Sequence, residues 1–424
     1  MGQLKKNLIL LTPQIRSLLM FLFFIFLPTQ LAKHFWPSWS YIQGIRIDYL
    51  SPTISIMDIL TFAVLATHID SIVQLLRSAS KNILITLGLL VLLNTLFSLN
   101  PTLTLLSWVH LLYGMLVLLI IVREANTYLL PILMGLSIGS AIQLALVFQQ
   151  FMYQSSLQGV WYWLGERRII LSLPDVAKIS VYGREYLRPY GTFSHPNALG
   201  GFYALLFFFI HIVKNQAYAR KYTRLANITL FLCPFLIVLS FSKVAILSFV
   251  VGSLILVWGD YAYRKCILCL VARSTGLIML FLMFTIPIGD PYSLQKRLVL
   301  VGNALQVILQ NPLWGVGLGN YILSQSSIQI LPRFMPLYQP VHNIFLLIFA
   351  EIGLGGVMIF YFLMRQMKMI FLTTLRIVPV LMVIGITGLS DHYWVTLPQT
   401  QLLLLFVVVY ILNPRALHLS QKVG

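Results

Sequence analysis

The sequence predicts an all-α polytopic transmembrane protein, and three observations carry that expectation. Of 424 residues, 59% are hydrophobic and only 9% are charged, where soluble domains carry roughly 25% charged residues. Mean hydropathy is +0.87. Apolar runs of about 17 to 25 residues recur from end to end, each long enough to cross a hydrocarbon core of roughly 30 Å. A soluble globular enzyme is thereby excluded. About twelve spans of roughly 20 residues each leave too little chain for a separate water-soluble part, so a single integral membrane domain is expected over residues 1–424.

Apolar runs place helices at about 15–36, 53–70, 82–99, 103–122, 128–150, 193–213, 226–242, 244–260, 267–288, 341–364, 372–390 and 398–413. The first follows Lys5, Lys6 and Arg16 in the manner of a signal peptide, but it has no A-x-A cleavage pattern and continues toward Trp36, so a retained span is expected. Pro and Gly gather at loop edges such as Asn100-Pro101 and Asn311-Pro312. An even number of spans puts both termini on one side. Lys5, Lys6, Arg16, Arg77, Lys81, Arg123, Lys214, Arg220, Lys221 and Arg224 all fall on that side, whereas the short opposite loops hold Lys33, Arg46 and Lys243. The positive-inside bias makes both termini cytoplasmic.

Two long outer loops, about 151–192 and 289–340, break that bias with Arg167, Arg168, Lys178, Arg184, Arg188, Lys296, Arg297 and Arg333. Cations held outside against the rule need a task there, and these loops are expected to cover an active site facing outward. In the second loop, Leu294, Leu298, Val301, Leu305 and Ile308 recur at helical spacing from Ser293 to Gln310. That spacing predicts an amphipathic helix along the membrane surface, with Arg297 at the edge of its apolar face and Lys296 and Asn303 pointing away.

The net charge of +18 is explained by topology and by anionic lipid, with no nucleic-acid partner expected. Cys233, Cys266 and Cys269 lie in or beside apolar runs. They imply no disulfide framework, and Cys266 and Cys269 lack the second ligand pair a metal site needs. His34, His68, His110, His211 and His418 have no acidic or cysteine companion at ligand spacing. No Walker loop, G-x-S-x-G elbow or H-E-x-x-H helix is present.

Three clusters could carry chemistry. The run from Arg184 to Asn197, with Arg184, Arg188 and His195, closes the first long loop at the start of the sixth span. Pro189 biases Arg188 to an extended backbone and Pro196 suits a first helical turn, placing arginines beside the positive end of a helix. An arginine fork matches a diphosphate; the alternative for Arg188 alone is contact with lipid headgroups. Arg297 precedes a glycine-rich run, Asn311 to Tyr321, which reads as a tight irregular turn because no strand precedes it. His342 opens the tenth span, where a group titrating near neutrality can take a proton from a hydroxyl or simply bond a neighbouring helix. Glu351 falls roughly 180° around the helix from His342, which favours an interhelical role over a dyad. Asp391-His392, in the last outer loop, is readable as an assisting pair or an exposed polar turn.

The stretches "RPYGTFSHPNALGGF" (Arg188 to Phe202), "LSFSKVAIL" (Leu239 to Leu247), "SLQKRLVLVGNALQVILQNPLWGVGLGNY" (Ser293 to Tyr321) and "HNIFLLIFAEIGLGG" (His342 to Gly356) together resemble the O-antigen ligase and polymerase superfamily of membrane glycosyltransferases. The resemblance implies a GT-C-like fold and a polyisoprenyl, typically undecaprenyl, diphosphate-linked glycan donor. It also implies en bloc transfer to a hydroxyl of a lipid or glycan acceptor on the outer face of a bacterial inner membrane, without cofactor or metal. By position, Arg188 and Arg297 look like the arginines assigned to the diphosphate, and His342 like the histidine assigned to the acceptor. Lys243 stands where the family often has arginine, and Arg184, His195 and Asp391 are further candidates for substrate binding. A polymerase of the same superfamily is the alternative, and an anion or lipid transporter the reading from another class.

Overall fold

The structure is a computed structural model that describes residues 2–173, 176–181, 183–259, 293–327, 337–371 and 375–413. It is mostly helical. The helices are α1 (Gly2–Phe26), α2 (Ile56–Thr67), α3 (Ile69–Ser78), α4 (Lys81–Leu96), α5 (Pro101–Arg123), α6 (Ala125–Tyr153), α7 (Pro196–Lys214), α8 (Thr223–Leu239) and α9 (Lys243–Gly259). They continue with α10 (Ser293–Gln310), α11 (Tyr321–Gln325), α12 (Ile344–Ile352), α13 (Leu354–Phe371), α14 (Val378–Gly388), α15 (Tyr393–Thr396) and α16 (Pro398–Leu412). Among the described residues, α5, α6, α7 and the stretch Tyr218–Leu239 are each long and apolar enough to cross a membrane, and α2 with α3 makes a fifth if counted as one broken span. Other expected spans fall on shorter apolar helices, among them α4, α14 and α16. The expected span 267–288 lies outside the described residues.

At the centre runs α7. Phe202, Tyr203, Leu205, Phe208 and Phe209 are all buried, the all-round burial expected of a helix apolar on every face. It is packed by α8, α9, α14 and α16. Gly201 lets α7 approach the loop chain closely: a Cβ there would strike the Tyr393 ring.

Three expected spans differ in ways the chain explains. The first helix ends at Phe26 instead of reaching Trp36, and Pro28, Pro37 and Pro52 help keep the next residues out of a helix. Those residues form two small antiparallel pairs, β1 (Ala32–His34) with β4 (Thr53–Ser55) and β2 (Tyr41–Ile42) with β3 (Ile45–Arg46). The second span starts with a capping box between Ser55 and Asp58 and breaks at His68, where the axis turns by 80°. The carbonyl of Thr67 at the bend accepts both Nε and Nη2 of Arg16, at 3.0 and 2.6 Å. The tenth span splits at Gly353, whose φ of 62° no helix continues through. Into that split the glycine-rich turn inserts its backbone: Val316 and Gly317 donate N–H to the carbonyls of Ala350 and Glu351 at 2.9 and 3.0 Å. Gly315, at φ 68°, lies so close to Glu351 that a Cβ would meet its carbonyl.

The helix α10 has the bounds the apolar spacing marks, but its protein face differs from the expected one. Leu300, Asn303, Ala304 and Val307 are buried, whereas Leu294, Leu298, Leu305 and Leu309 are exposed. The apolar arc is wide enough to hold two faces, one against the protein and one outward, and Asn303 belongs to the first.

Basic residues close the helix ends remote from Arg188 and His342, with Arg77, Arg123 and Lys214 in the last turns of α3, α5 and α7. At the other end of the bundle converge the N-termini of α7, α12 and α16 and the C-termini of α8 and α14. That end carries the candidate site.

Candidate active site

The Arg188–Thr192 turn is fixed from α6. Gln150 accepts the N–H groups of Tyr190 and Gly191 through Oε1 at 2.9 and 2.8 Å and donates to the Gly191 carbonyl at 3.1 Å. Gln143 donates to the Thr192 hydroxyl at 2.6 Å, and that hydroxyl donates to the Pro28 carbonyl at 2.6 Å. Glu166 braces Gln150 in turn, accepting its Nε2 at 2.9 Å together with the N–H groups of Leu157 and Gln158. Buried polar groups that satisfy one another in this way hold one geometry.

Held there, Arg188 donates through Nη2 to Asn197 Oδ1 at 2.7 Å and through Nε to the carbonyl of Ser240 at 3.2 Å. Ser240 ends α8, where Phe241 takes a left-handed conformation, φ 50°, and turns the chain into α9. Asn197 also donates through Nδ2 to Asp391 Oδ2 at 3.0 Å. The other carboxylate oxygen, Oδ1, accepts the backbone N–H of His392 at 2.8 Å. From α10, Arg297 donates to the Ser390 carbonyl at 3.2 Å. His342 and His392 meet edge to face with ring centroids 5.1 Å apart, and His392 Nδ1 bonds Thr396 Oγ1 at 2.8 Å. The loop that carries Asp391 and His392 is itself pinned, since Trp394 Nε1 donates to Thr387 Oγ1 at 2.8 Å. Nδ1 of His342 is buried and has no hydrogen-bond partner among the described residues.

The electrostatics follow from burial. Burial lowers the Arg188 guanidinium from 12.5 to about 10; Tyr190 and Asp391 work against that, and the nearby positive charge of Arg297 adds to it. Burial alone would raise the Asp391 carboxyl, but His392, His342, His195 and the Asn197 hydrogen bond outweigh it and hold the group at about 2. Burial lowers His392 to about 4, and lowers His342 below its usual 6.5 with help from Arg297, against the pull of Asp391. At neutral pH the cluster therefore holds two arginines, one carboxylate and neutral imidazoles at His342 and His392. Its net positive charge suits an anion with several acceptor oxygens.

Of the residues singled out in the sequence, Arg188, Arg297, His342 and Asp391 come together, and His195 lies within electrostatic reach of Arg188, Asp391 and His342. His195 caps α7, its Nδ1 accepting the Asn197 N–H at 3.1 Å, and its ring is exposed beside Tyr190. Lys243 opens α9, just after the Ser240 turn that Arg188 holds. Arg184 sits at the exposed end of the hairpin β5 (Lys178–Val181) and β6 (Arg184–Leu187), and no described contact ties it to the cluster. Glu351 anchors the glycine-rich turn, its side chain accepting the Tyr321 N–H at 3.4 Å and its carbonyl accepting Asn94 Nδ2 at 2.9 Å. Sequence reading left His392 as one half of an ambiguous polar pair and passed over Asn197 and Tyr49, whose ring meets His392 edge-on at 5.7 Å. Asn197 was visible only as part of the His195-Pro196-Asn197 run.

A metal was not expected, yet His342, Asp391 and His392 offer three ligand atoms within 4.8 Å of one another. Asp391 accepts hydrogen bonds from Asn197 and from the His392 N–H, and a cation there would also meet the positive charge of Arg188 and Arg297.

A bundle of apolar helices, several long enough to cross a membrane, with a buried, positively charged polar cluster at one end defines the class as a membrane protein. Residues 228–361, which include Lys243, Arg297 and His342, match the family model described as O-antigen ligase. The match supports the O-antigen ligase superfamily that the four sequence stretches resemble, and with it a glycosyltransferase-like membrane enzyme. No curated protein matches the chain.

Proposed function

We propose that this protein transfers a glycan en bloc from an undecaprenyl diphosphate-linked donor to a hydroxyl of a lipid or glycan acceptor, without a metal, on the outer face of the inner membrane. The observation that carries the reading is the convergence of Arg188, held by Asn197, and Arg297, held by the Ser390 carbonyl, on the loop of Asp391, next to His342, whose buried Nδ1 has no partner among the described residues. The arginines bind the diphosphate and stabilise the charge it gains as the bond between C1 of the first sugar and the phosphate oxygen breaks, its electron pair leaving on the diphosphate. The acceptor oxygen forms the new bond to C1, and His342 takes the hydroxyl proton. Asp391 positions this machinery by fixing Asn197, and through it Arg188, while its charge favours the imidazolium that forms.

The test uses the full chain in nanodiscs with a polyprenyl diphosphate-linked glycan, following release of free polyprenyl diphosphate. Acceptor-dependent, EDTA-resistant release by the wild type, lost in Arg297→Ala, is expected. EDTA-sensitive release restored by a divalent cation would replace the metal-free mechanism with one built on His342, Asp391 and His392. Flux of intact donor across the bilayer without release would replace the transferase with a transporter.

A further inference from the structure

A cavity of about 550 Å³ adjoins the site on a side that neither arginine lines. It reaches the histidines through three residues. Tyr49 packs edge-on against His392, Thr396 bonds His392 Nδ1, and Pro340 lies just ahead of His342 in the chain. Much of its wall is apolar, including Ile59, Phe62, Leu106 and Val109 from α2 and α5.

One wall is different. Asp58, buried at the start of α2, accepts the backbone N–H and the hydroxyl of Ser55 through Oδ2 at 2.6 and 2.8 Å. Its other oxygen accepts the Tyr113 hydroxyl and lies 3.5 Å from His110 Nε2. Tyr113 also bonds His110 Nδ1 at 3.0 Å, and the His110 side chain is 31% exposed. Glu351 supplies a second carboxyl to the lining, and no lysine or arginine lines the cavity among the described residues.

We propose that this cavity seats the acceptor, and that the acceptor is a neutral or cationic amphiphile whose hydroxyl or amine groups pair with the Asp58–His110–Tyr113 cluster. The assignment rests on the transferase reading above. This wall offers a diphosphate no lysine or arginine among the described residues, and its counter-charge stands at Arg188 and Arg297 instead. A bare hydrocarbon tail gains nothing from Asp58, whereas a hydroxyl-bearing headgroup with an apolar body matches both kinds of wall. From this cavity the acceptor hydroxyl reaches His342 without crossing the arginines.

The probe is a diazirine-bearing octyl glucoside at trace concentration, photolysed with the full chain in nanodiscs and mapped by mass spectrometry. Labelling is expected on residues of α2 and α5. Loss of one hydrogen bond to a charged group predicts a drop of about tenfold in Asp58→Asn, and Phe62→Trp, which keeps Asp58 and fills space, is expected to lower labelling as well. An excess of polyprenyl diphosphate should not compete, and a diazirine octyl phosphate should label these residues weakly. Equal labelling in both variants, or stronger labelling by the octyl phosphate, overturns the assignment. Competition by polyprenyl diphosphate overturns it too, giving the cavity to the donor's tail. If labelling follows the expected pattern while no acceptor supports release of polyprenyl diphosphate, the cavity stands as an amphiphile site and the transferase reading falls.

Discussion

As the proposed base, His342 is an imidazole whose charge is set by its neighbours. Burial and Arg297 disfavour its charged form, Asp391 favours it, and the balance leaves the ring neutral below its usual 6.5. A neutral ring accepts a proton, so transfer should hold near neutrality and fall only as the pH drops below that value and the ring charges. Replacing Asp391 by Asn removes the interaction that raises the His342 pKa, and the acid limb of the kcat profile should move to lower pH; an unmoved or raised limb would separate His342 from the titration. His342→Ala should cost about 10² to 10⁴ in rate. Arg297→Ala should cost about 10² to 10³, the scale for removing one preorganised charge-stabilising donor. Arg297→Lys should recover only part, because an ammonium lacks the two-pronged fork. Normal membrane insertion of each variant, checked by protease accessibility, keeps these losses chemical.

At the scale of elements, the site depends on a clamp remote from the chemistry. Asn94 of α4 is buried with every polar valence used: Nδ2 donates to the carbonyls of Trp314 and Glu351 at 2.7 and 2.9 Å, and Oδ1 accepts Trp108 Nε1 and the Leu318 N–H at 2.8 and 3.1 Å. It joins α4, α5, the glycine-rich turn and α12, and α12 starts immediately after His342. Asn94→Ala leaves several buried groups without partners at about 1 to 3 kcal/mol each before relaxation, so a marked fall in the thermal midpoint in detergent is expected. Gly315→Ala should act on the same clamp, since a side chain at φ 68° costs of order 1 to 3 kcal/mol before its contact with the Glu351 carbonyl is counted. Midpoints equal to wild type in both variants would show that the turn and α12 are not coupled. The sequence made the turn legible through Gly315, Gly317 and Gly319, and it marked the bounds of α10 through spacing alone. It did not reveal the break at Gly353, because an apolar run reads as continuous helix whichever way its backbone bonds go. Nor did it reveal the inward face of α10, because an apolar arc broad enough for lipid and protein has no unique side.

Over the whole molecule, what sequence order hides is closure. Arg188, Arg297, His342 and Asp391 were each visible as charge at a helix mouth, but only the packing of α7, α8, α10, α12 and α14 shows that one Asn197 ties Arg188 to Asp391. His110 and His68 had no sequence neighbours of the right kind, yet the fold brings them to Asp58 and Glu124, at 3.5 and 3.2 Å. The same closure fixes a stereochemical expectation. On the proposed function the arginines would hold the diphosphate, and the cavity assigned to the acceptor is lined by neither of them. A nucleophile entering from that cavity would displace the leaving group in line and invert the anomeric centre. Retention would need either attack from the leaving-group face or a covalent intermediate, for which Asp391 is the carboxylate the cluster offers among the described residues. The new linkage should therefore be of opposite anomeric configuration to the donor's bond to phosphate, read from the one-bond C1–H1 coupling by NMR on product made in nanodiscs. A product of the donor's own configuration would overturn in-line displacement, and an Asp391→Asn variant inactive at every pH would then mark a covalent intermediate on that carboxylate, as against attack from the leaving-group face.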